Sequence, residues 1–264
     1  MNNARPCIGL IGCGAIASEI VGALGSGIVD ADLVVMMDIY PEKCEKLKER
    51  LGKEVPITTS LKEFLEHSMD YVIEAASQEA VRQYGEEILS HGINLVILSV
   101  GALLDDELRE KLVATAKKTG AKIYAPTGAI AGLDAVRALR TVGIDRVVLR
   151  TIKPPRSLGI EAKERKVLYH GPAREAVKRF PFNVNVAAAL SLAAGKEAEV
   201  EVIVDPSVER NTHIILVESK ASRIEIRVEN VPSKTNPRTS WLAALSVIEL
   251  LRRITSTDPL IIGS

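Results

Sequence analysis

CIGLIGCGAIA, residues 7–17, is the stretch that decides the fold of this chain. It reads as a short apolar strand, a glycine turn and the start of a helix. Gly12, Gly14 and Ala17 fill a G-x-G-x-x-G/A pattern, in which the first glycine permits a tight turn and the second lets a ligand approach the backbone. The pattern predicts a βαβ unit that holds a dinucleotide pyrophosphate on the free N–H groups of the helix start, around Ala15 and Ile16.

The end of the second predicted strand supports this interpretation. Residues 32–38 form an apolar run that ends in Asp38, close to the roughly 20 residues expected between the glycine turn and an acid that binds a ribose hydroxyl. The residues directly after Asp38 include no arginine to hold a 2′-phosphate, which favours NAD over NADP. Lys43 lies near enough in sequence to leave NADP open.

The order of predicted elements indicates two domains. Residues 1–126 alternate strands with helices, which predicts an α/β, Rossmann-type doubly wound parallel sheet. Residues 127–237 predict a second, α+β domain for the substrate, and second domains of dehydrogenases often also provide a sheet for dimerisation. Its strands near 199–204, 212–218 and 223–229 have short connections, and we therefore expect a mostly antiparallel sheet. The sequence leaves open whether a final helix, about 238–255, packs back on the first domain.

Small residues follow two strands of the first domain. Ala75, Ala76 and Ser77 come after one strand, and Ser99 and Gly101 come after the next. Ligands of doubly wound sheets bind at the carboxyl ends of the strands, so these turns are candidates to line the nicotinamide ring and its ribose. The alternative is that they only cap helices, and Ser77 could do both.

Composition excludes several classes of protein. The 264 residues carry 34 basic and 34 acidic side chains, so net charge gives no argument for nucleic acid or an anionic membrane. The three cysteines, Cys7, Cys13 and Cys44, show no disulfide or zinc spacing, and we predict no metal site. Cys13 reads as a small filler in the glycine turn. With no secretory signal pattern before the first strand, we expect a reduced, cytoplasmic protein.

Histidine is the side chain best suited to proton transfer near neutral pH. His67, His91 and His170 stand next to helix ends or turns and read as surface or capping residues. His213 stands at the start of an apolar strand, after a polar cluster. From its position alone, it is either an ordinary strand-start residue or a residue that borders a cleft.

The chain resembles the L-aspartate dehydrogenase family in motifs spread over most of its length. Besides the glycine turn, the matching stretches are EAAS at 74–77, GAIAGLDA at 128–135, FPFNVNVAA at 180–188, NTH at 211–213 and NPRTSWLAALS at 236–246. The resemblance implies NAD(P)-dependent oxidative deamination of L-aspartate to iminoaspartate, feeding quinolinate and NAD biosynthesis, in a homodimer. It implies that His213 is catalytic and that Ala129 and either Asn185 or Asn183 contact the cofactor.

An aspartate substrate would bring two carboxylates, which need cations or N–H donors. The candidates share positions in polar loops or at element ends of the second domain. For substrate binding they are Asn183, Thr127, Gly128, Lys153, Thr239 and Ser240, with Arg156, Lys163, Lys166 and Arg238 as further cations. Thr239 and Ser240 could equally cap the last helix.

Two other functions remain open at this point. A different imine reductase, such as a dihydrodipicolinate reductase, would share the architecture, but that family uses a paired-histidine motif and no His-His pair occurs here. A non-catalytic NAD-sensing regulator would need neither His213 nor converging cations.

Overall fold

The computed structural model describes residues 5–180, 185–233, 240–256, 258 and 260. These residues form two units. One contains the described residues up to Pro126 together with those of Ala244–Leu260, and the other contains the described residues of Thr127–Ala243.

A parallel sheet of six described strands forms the centre of the first unit, in the order β3-β2-β1-β4-β5-β6. The strands are β1 (Cys7–Ile11), β2 (Asp32–Met37), β3 (Ile57–Thr58), β4 (Tyr71–Glu74), β5 (Asn94–Ile97) and β6 (Ile123–Tyr124). This is the strand order of dinucleotide-binding domains, with the change of direction between β1 and β4. The predicted Rossmann-type sheet is confirmed.

Helices connect these strands, and three of them begin after a residue whose side chain caps the helix. They are α1 (Ala15–Gly25), α2 (Pro41–Leu51), α3 (Leu61–Phe64), α4 (Gln78–Ser90) and α5 (Asp106–Thr119), with a 3₁₀ turn at Val100–Leu104. The Ser60 side chain accepts the Glu63 N–H at the start of α3, and the Ser77 side chain accepts the Ala80 N–H at the start of α4. Ser77 therefore has the capping role that the sequence left open.

The second unit is built on a mixed sheet of five described strands, in the order β11-β10-β7-β9-β8. Its elements are α6 (Leu133–Leu139), β7 (Ile144–Lys153), α7 (Pro155–Leu158), β8 (Lys166–Pro172), α8 (Ala173–Arg179), α9 (Asn185–Ala194), β9 (Glu199–Val204), β10 (Asn211–Ser219) and β11 (Arg223–Asn230). Strand β10 pairs antiparallel with both β7 and β11. Most of the sheet is antiparallel, as expected.

Two local expectations in this unit were wrong. Strand β9 does not pair with β10 but lies parallel to β7, because the chain returns to it through helices, and helical crossovers produce parallel pairs. His170 lies within β8 rather than in a turn. It remains exposed, with its Nε2 atom 2.6 Å from Glu199 Oε1.

The expectation of unpaired cysteines was also wrong, because Cys13 and Cys44 form a disulfide. Cys13 follows β1 and Cys44 lies on the buried side of α2, which follows β2. Since β1 and β2 are parallel neighbours, their carboxyl ends meet, and residues far apart in sequence become adjacent. The bond attaches the glycine turn to α2.

The last helix, α10 (Trp241–Thr255), contributes Val247 and Leu251 to the hydrophobic core that contains Ile8 and Leu10 of the first unit. Its Ile254 carbonyl accepts a hydrogen bond from the Tyr71 hydroxyl at 3.4 Å. Among the described helices, none combines the length and apolarity needed to cross a membrane.

Candidate functional site: a dinucleotide turn and a buried polar sheet face

Gly12 brings three strand ends of the first unit together. Its φ is +90°, and its N–H donates to the Met37 carbonyl at 2.7 Å. A Cβ at this position would lie 2.7 Å from the Ala75 carbonyl carbon and the Ala76 Cα. Only glycine fits both the backbone conformation and this close approach, as the motif predicted.

Gly14 leaves the start of α1 open. It is the N-cap of the helix, its backbone is exposed, and, its own chain neighbours aside, no described atom lies within 4 Å of the place where a Cβ would stand. The first turn of the helix, which includes Ala15 and Ile16, carries no acidic residue. The N–H groups and the positive end of the helix dipole therefore suit an anion, and the cradle fits a pyrophosphate.

Asp38 stands beside this turn, directly after β2. Its Oδ2 accepts the Cys13 N–H at 2.7 Å, and its Oδ1 accepts the Tyr40 N–H at 2.9 Å. A carboxylate has about four acceptor sites, so capacity remains for ribose hydroxyls. The Lys43 ammonium lies 4.4 Å from the centre of the Tyr40 ring. The acid and the glycine turn predicted from sequence are thus hydrogen-bonded to each other.

Glu74 begins the EAAS motif, but its sequence context predicted no role for it. Glu74 ends β4 and is 2% exposed. Its Oε1 accepts the Ala76 N–H and the Ser99 hydroxyl, each at 2.9 Å, and its Oε2 accepts the Ser99 N–H at 3.0 Å. The turns that carry Ser77 and the buried Gly101 therefore meet at one carboxylate. An acid as the last residue of an otherwise apolar strand was the available signal.

In the second unit, one face of the sheet collects five buried polar side chains. His213 of β10 lies opposite Thr151 of β7, and Asn211 of β10 lies opposite Asn230 of β11. Side chains two residues apart on a strand share a face, so Lys153 joins Thr151, and Asn211 joins His213. Each of the five is 4% exposed or less. We call this set the polar face.

The burial of His213 determines the protonation state of its imidazole ring. Its Nδ1 lies 3.0 Å from the Thr151 hydroxyl. Burial, and secondarily the nearby Lys153 charge, lower the pKa of His213 to about 3. His213 of the free protein is therefore a neutral imidazole.

Lys153 is the buried cation among the predicted substrate residues. Burial lowers the pKa of its ammonium from 10.5 to about 8. The other candidate cations in the described residues, Arg156, Lys163 and Lys166, are exposed. Arg156 donates to the Glu209 carbonyl at 2.8 Å. Lys153 is consequently the candidate whose charge gains most from an incoming carboxylate.

Two asparagines, for which no sequence pattern predicted a role, complete the polar face. The Asn230 Nδ2 donates to the Ala129 carbonyl at 3.0 Å, which fixes the small-residue loop to the sheet. The Oδ1 atoms of Asn211 and Asn230 are buried and have no hydrogen-bond partner in the described part of the chain. Buried polar atoms are usually paired, so two acceptors remain for N–H or O–H groups of a ligand.

The remaining predicted residues are placed as follows. Thr127 is exposed, Gly128 is half-buried with a φ of +69°, and Ala129 is buried. Asn185 is the first described residue of α9. Ser240 is buried directly before α10. The predictions for Asn183, Thr239 and Arg238 fall on positions outside the described residues.

Both units match known protein families. Residues 12–126 match the family described as homoserine dehydrogenase, NAD binding domain, and residues 134–254 match aspartate dehydrogenase, C-terminal. Together with the open glycine cradle, the first match shows NAD as the cofactor.

Relatives of known name align along nearly the full length. L-aspartate dehydrogenase of Methanothermobacter thermautotrophicus is 47% identical over 249 residues, covering 94% of this chain and 95% of the relative. The enzyme of the same name from Methanosarcina barkeri is 42% identical and covers 97% of this chain and 99% of the relative.

Solved structures give the same assignment. Aspartate dehydrogenase from Thermotoga maritima superposes with a TM-score of 0.80 at 28% identity, covering 98% of this chain and 100% of that one. Myo-inositol 2-dehydrogenase from Lactobacillus plantarum, with a TM-score of 0.59 at 12% identity, shares the fold alone. The resemblance found in the sequence motifs is confirmed, and the chain belongs to the L-aspartate dehydrogenase family.

Proposed function

We propose that this protein catalyses the NAD-dependent oxidative deamination of L-aspartate to iminoaspartate. The observation that carries the proposal is the polar face, on which a buried ammonium, a neutral imidazole and two unpartnered amide oxygens share one side of a sheet. An amino acid with two carboxylates and an amine offers groups of matching chemistry. The names of the relatives agree with this choice.

The charge of Lys153 supports a substrate with an extra carboxylate. Keeping an ammonium buried costs free energy, which the lowered pKa records. A carboxylate that binds beside it would offset this cost and gain a charge-assisted hydrogen bond. An amino acid with a neutral side chain offers no second carboxylate for this bond. Lys153 would therefore select aspartate over alanine or asparagine.

His213 supplies the proton acceptor in this proposal. The Thr151 hydroxyl at its Nδ1 fixes the ring, which leaves Nε2 as the nitrogen to meet the substrate amine. Carboxylates bound near His213 and Lys153 would raise the pKa of the imidazole, because nearby negative charge favours the protonated form. The neutral ring of the free protein would thus become a useful base only once a dicarboxylate is bound.

The reaction balances as follows. His213 takes a proton from the substrate ammonium, the Cα hydride leaves, and a C=N bond forms to give iminoaspartate. NAD, when bound, accepts that hydride. Water then hydrolyses the imine to oxaloacetate and ammonia, unless the imine is used directly. We propose that iminoaspartate feeds quinolinate and NAD biosynthesis. We also propose that NADP is at most a second cofactor and that the enzyme works as a homodimer.

The proposal is tested by following NADH formation with L-aspartate, L-glutamate, L-alanine, L-asparagine and D-aspartate. We expect kcat/KM for L-aspartate to exceed that for L-asparagine by about tenfold or more, since only the second carboxylate can form a charge-assisted hydrogen bond with the Lys153 ammonium, worth about 1.5–3 kcal/mol. Preference for a neutral amino acid would contradict the proposal. NADH oxidation with a cyclic imine would also contradict it and would indicate an imine reductase. NAD binding without turnover of any amino acid would contradict it and would indicate a sensor.

A further inference from the structure

Glu74 is a buried acidic residue of the first unit, and burial of a carboxylate costs free energy. It lies at the carboxyl end of β4, between Ile11 of β1 and Ile97 of β5. Burial raises the pKa of its carboxyl group, and the N–H and hydroxyl donors of Ser99 and the N–H groups of Ala76 and Ser77 offset only part of this rise. A buried carboxylate requires such donors, and here they come from loop residues rather than from a basic side chain.

The position of Glu74 coincides with the change of direction in the sheet. Strands β1 and β4 are neighbours, although the chain reaches β4 only after building β2 and β3. In doubly wound sheets the ligand binds outside the carboxyl ends of the strands at this point. Glu74 is hydrogen-bonded to both turns that follow β4 and β5.

The same carboxylate fixes the β4 turn beside the glycine turn, whose own backbone is held independently by the Gly12 N–H bond to the Met37 carbonyl and the Cys13 N–H bond to Asp38. Ala75 and Ala76 are the residues that a Cβ at Gly12 would strike. Since Glu74 accepts the Ala76 N–H, it holds this backbone against Gly12. Ser99 is held from the other side by two hydrogen bonds to the same group. If Glu74 lost its charge, two turns would lose their common anchor at once.

We propose that Glu74 is a positioning residue for the nicotinamide ring of the cofactor. Its carboxylate shapes the β4 and β5 turns that border this ring, while Asp38 and the α1 start hold the adenosine ribose and the pyrophosphate. The inference rests on NAD binding and not on the identity of the amino-acid substrate. It can therefore fail or succeed independently of the proposed function.

The test compares two ligands that differ in the nicotinamide group, NADH and ADP-ribose, by calorimetric titration of the full chain. Glu74→Gln keeps the size of the side chain but places an amide N–H₂ among N–H donors. We expect its Kd for NADH to rise about tenfold or more and its Kd for ADP-ribose to change less than about twofold. Tenfold corresponds to about 1.4 kcal/mol.

Two further variants keep the test decisive. Ser99→Ala removes one hydrogen bond to Glu74, and we expect a smaller loss that again affects NADH alone. Glu54→Gln, at an exposed glutamate of the same unit, is the matched control and should change neither Kd. Equal losses for both ligands would indicate a merely structural acid and would overturn the proposal, as would unchanged NADH binding in Glu74→Gln. If Glu74→Gln does not fold, an unchanged NADH-to-ADP-ribose ratio in Ser99→Ala overturns it.

Discussion

Replacing Lys153 with methionine should make the free protein more stable and the enzyme less able to bind its substrate. The fall in the Lys153 pKa from 10.5 to about 8 corresponds to about 3 kcal/mol of free energy spent on keeping the charge buried. Methionine has a similar length and no charge. We expect Lys153→Met to raise the free energy of unfolding at pH 7 by about 1–3 kcal/mol, because part of the gain is offset by repacking.

The stability difference between wild type and Lys153→Met should depend on pH. The unfolded chain holds the Lys153 proton up to about pH 10.5, whereas the folded chain releases it near pH 8. Wild type therefore gains stability as pH rises from 8 towards 10.5, and the cost is fully present below pH 8. The advantage of Lys153→Met should be largest below pH 8 and should shrink above it. Urea unfolding of both proteins at pH 7 and pH 9.5 measures the difference.

The effect of Lys153→Met on substrate binding is measured with succinate, a dicarboxylate without an amine. Wild type should bind it well below pH 8 and progressively less tightly above, and Lys153→Met should lose most of the affinity at every pH. Lys163→Met, at an exposed lysine, is the control and should match wild type in both assays. A variant that is no more stable than wild type at pH 7, or that keeps its succinate affinity, would refute the reasoning.

Three further predictions concern the dinucleotide turn. Gly12→Ala should lower both stability and NAD affinity, whereas Gly14→Ala, with open space for its Cβ, should leave the thermal midpoint unchanged and weaken NAD binding alone, as calorimetry and thermal unfolding would show. Reduction of the Cys13–Cys44 disulfide frees a loop of 31 residues and should cost about 3–4 kcal/mol in the chain-entropy account; an unchanged midpoint in dithiothreitol would contradict this. Asp38→Ser removes the charge that repels a 2′-phosphate, so the NADP-to-NAD affinity ratio should rise at least about tenfold; an unchanged ratio would exclude Asp38 from ribose binding.

Local patterns were enough to predict the first unit. The glycine turn, the acid after β2 and the alternation of strands and helices are short-range features, and they led to the correct sheet. The Cys13–Cys44 disulfide was missed because it depends on which strands are neighbours. Sequence separation carries no information about that until the strand order is known.

The candidate site of the second unit was less accessible to sequence reasoning. His213 could be singled out only through the family resemblance, and its neutral state required knowledge of its burial. Asn230 joins the polar face through pairing of β11 with β10, so no local pattern indicates it. Lys153 was one of several candidate cations until burial distinguished it from the exposed ones.

The role of His213 as proton acceptor in L-aspartate oxidation is tested most directly by comparing NADH formation from L-aspartate by wild type and by His213→Asn. Asparagine keeps a polar side chain of similar width but cannot act as a base at neutral pH. We predict that kcat falls about 10²- to 10⁴-fold while the Kd for NADH stays within about twofold. Near-normal turnover in His213→Asn, with L-aspartate still the preferred substrate, would contradict the account.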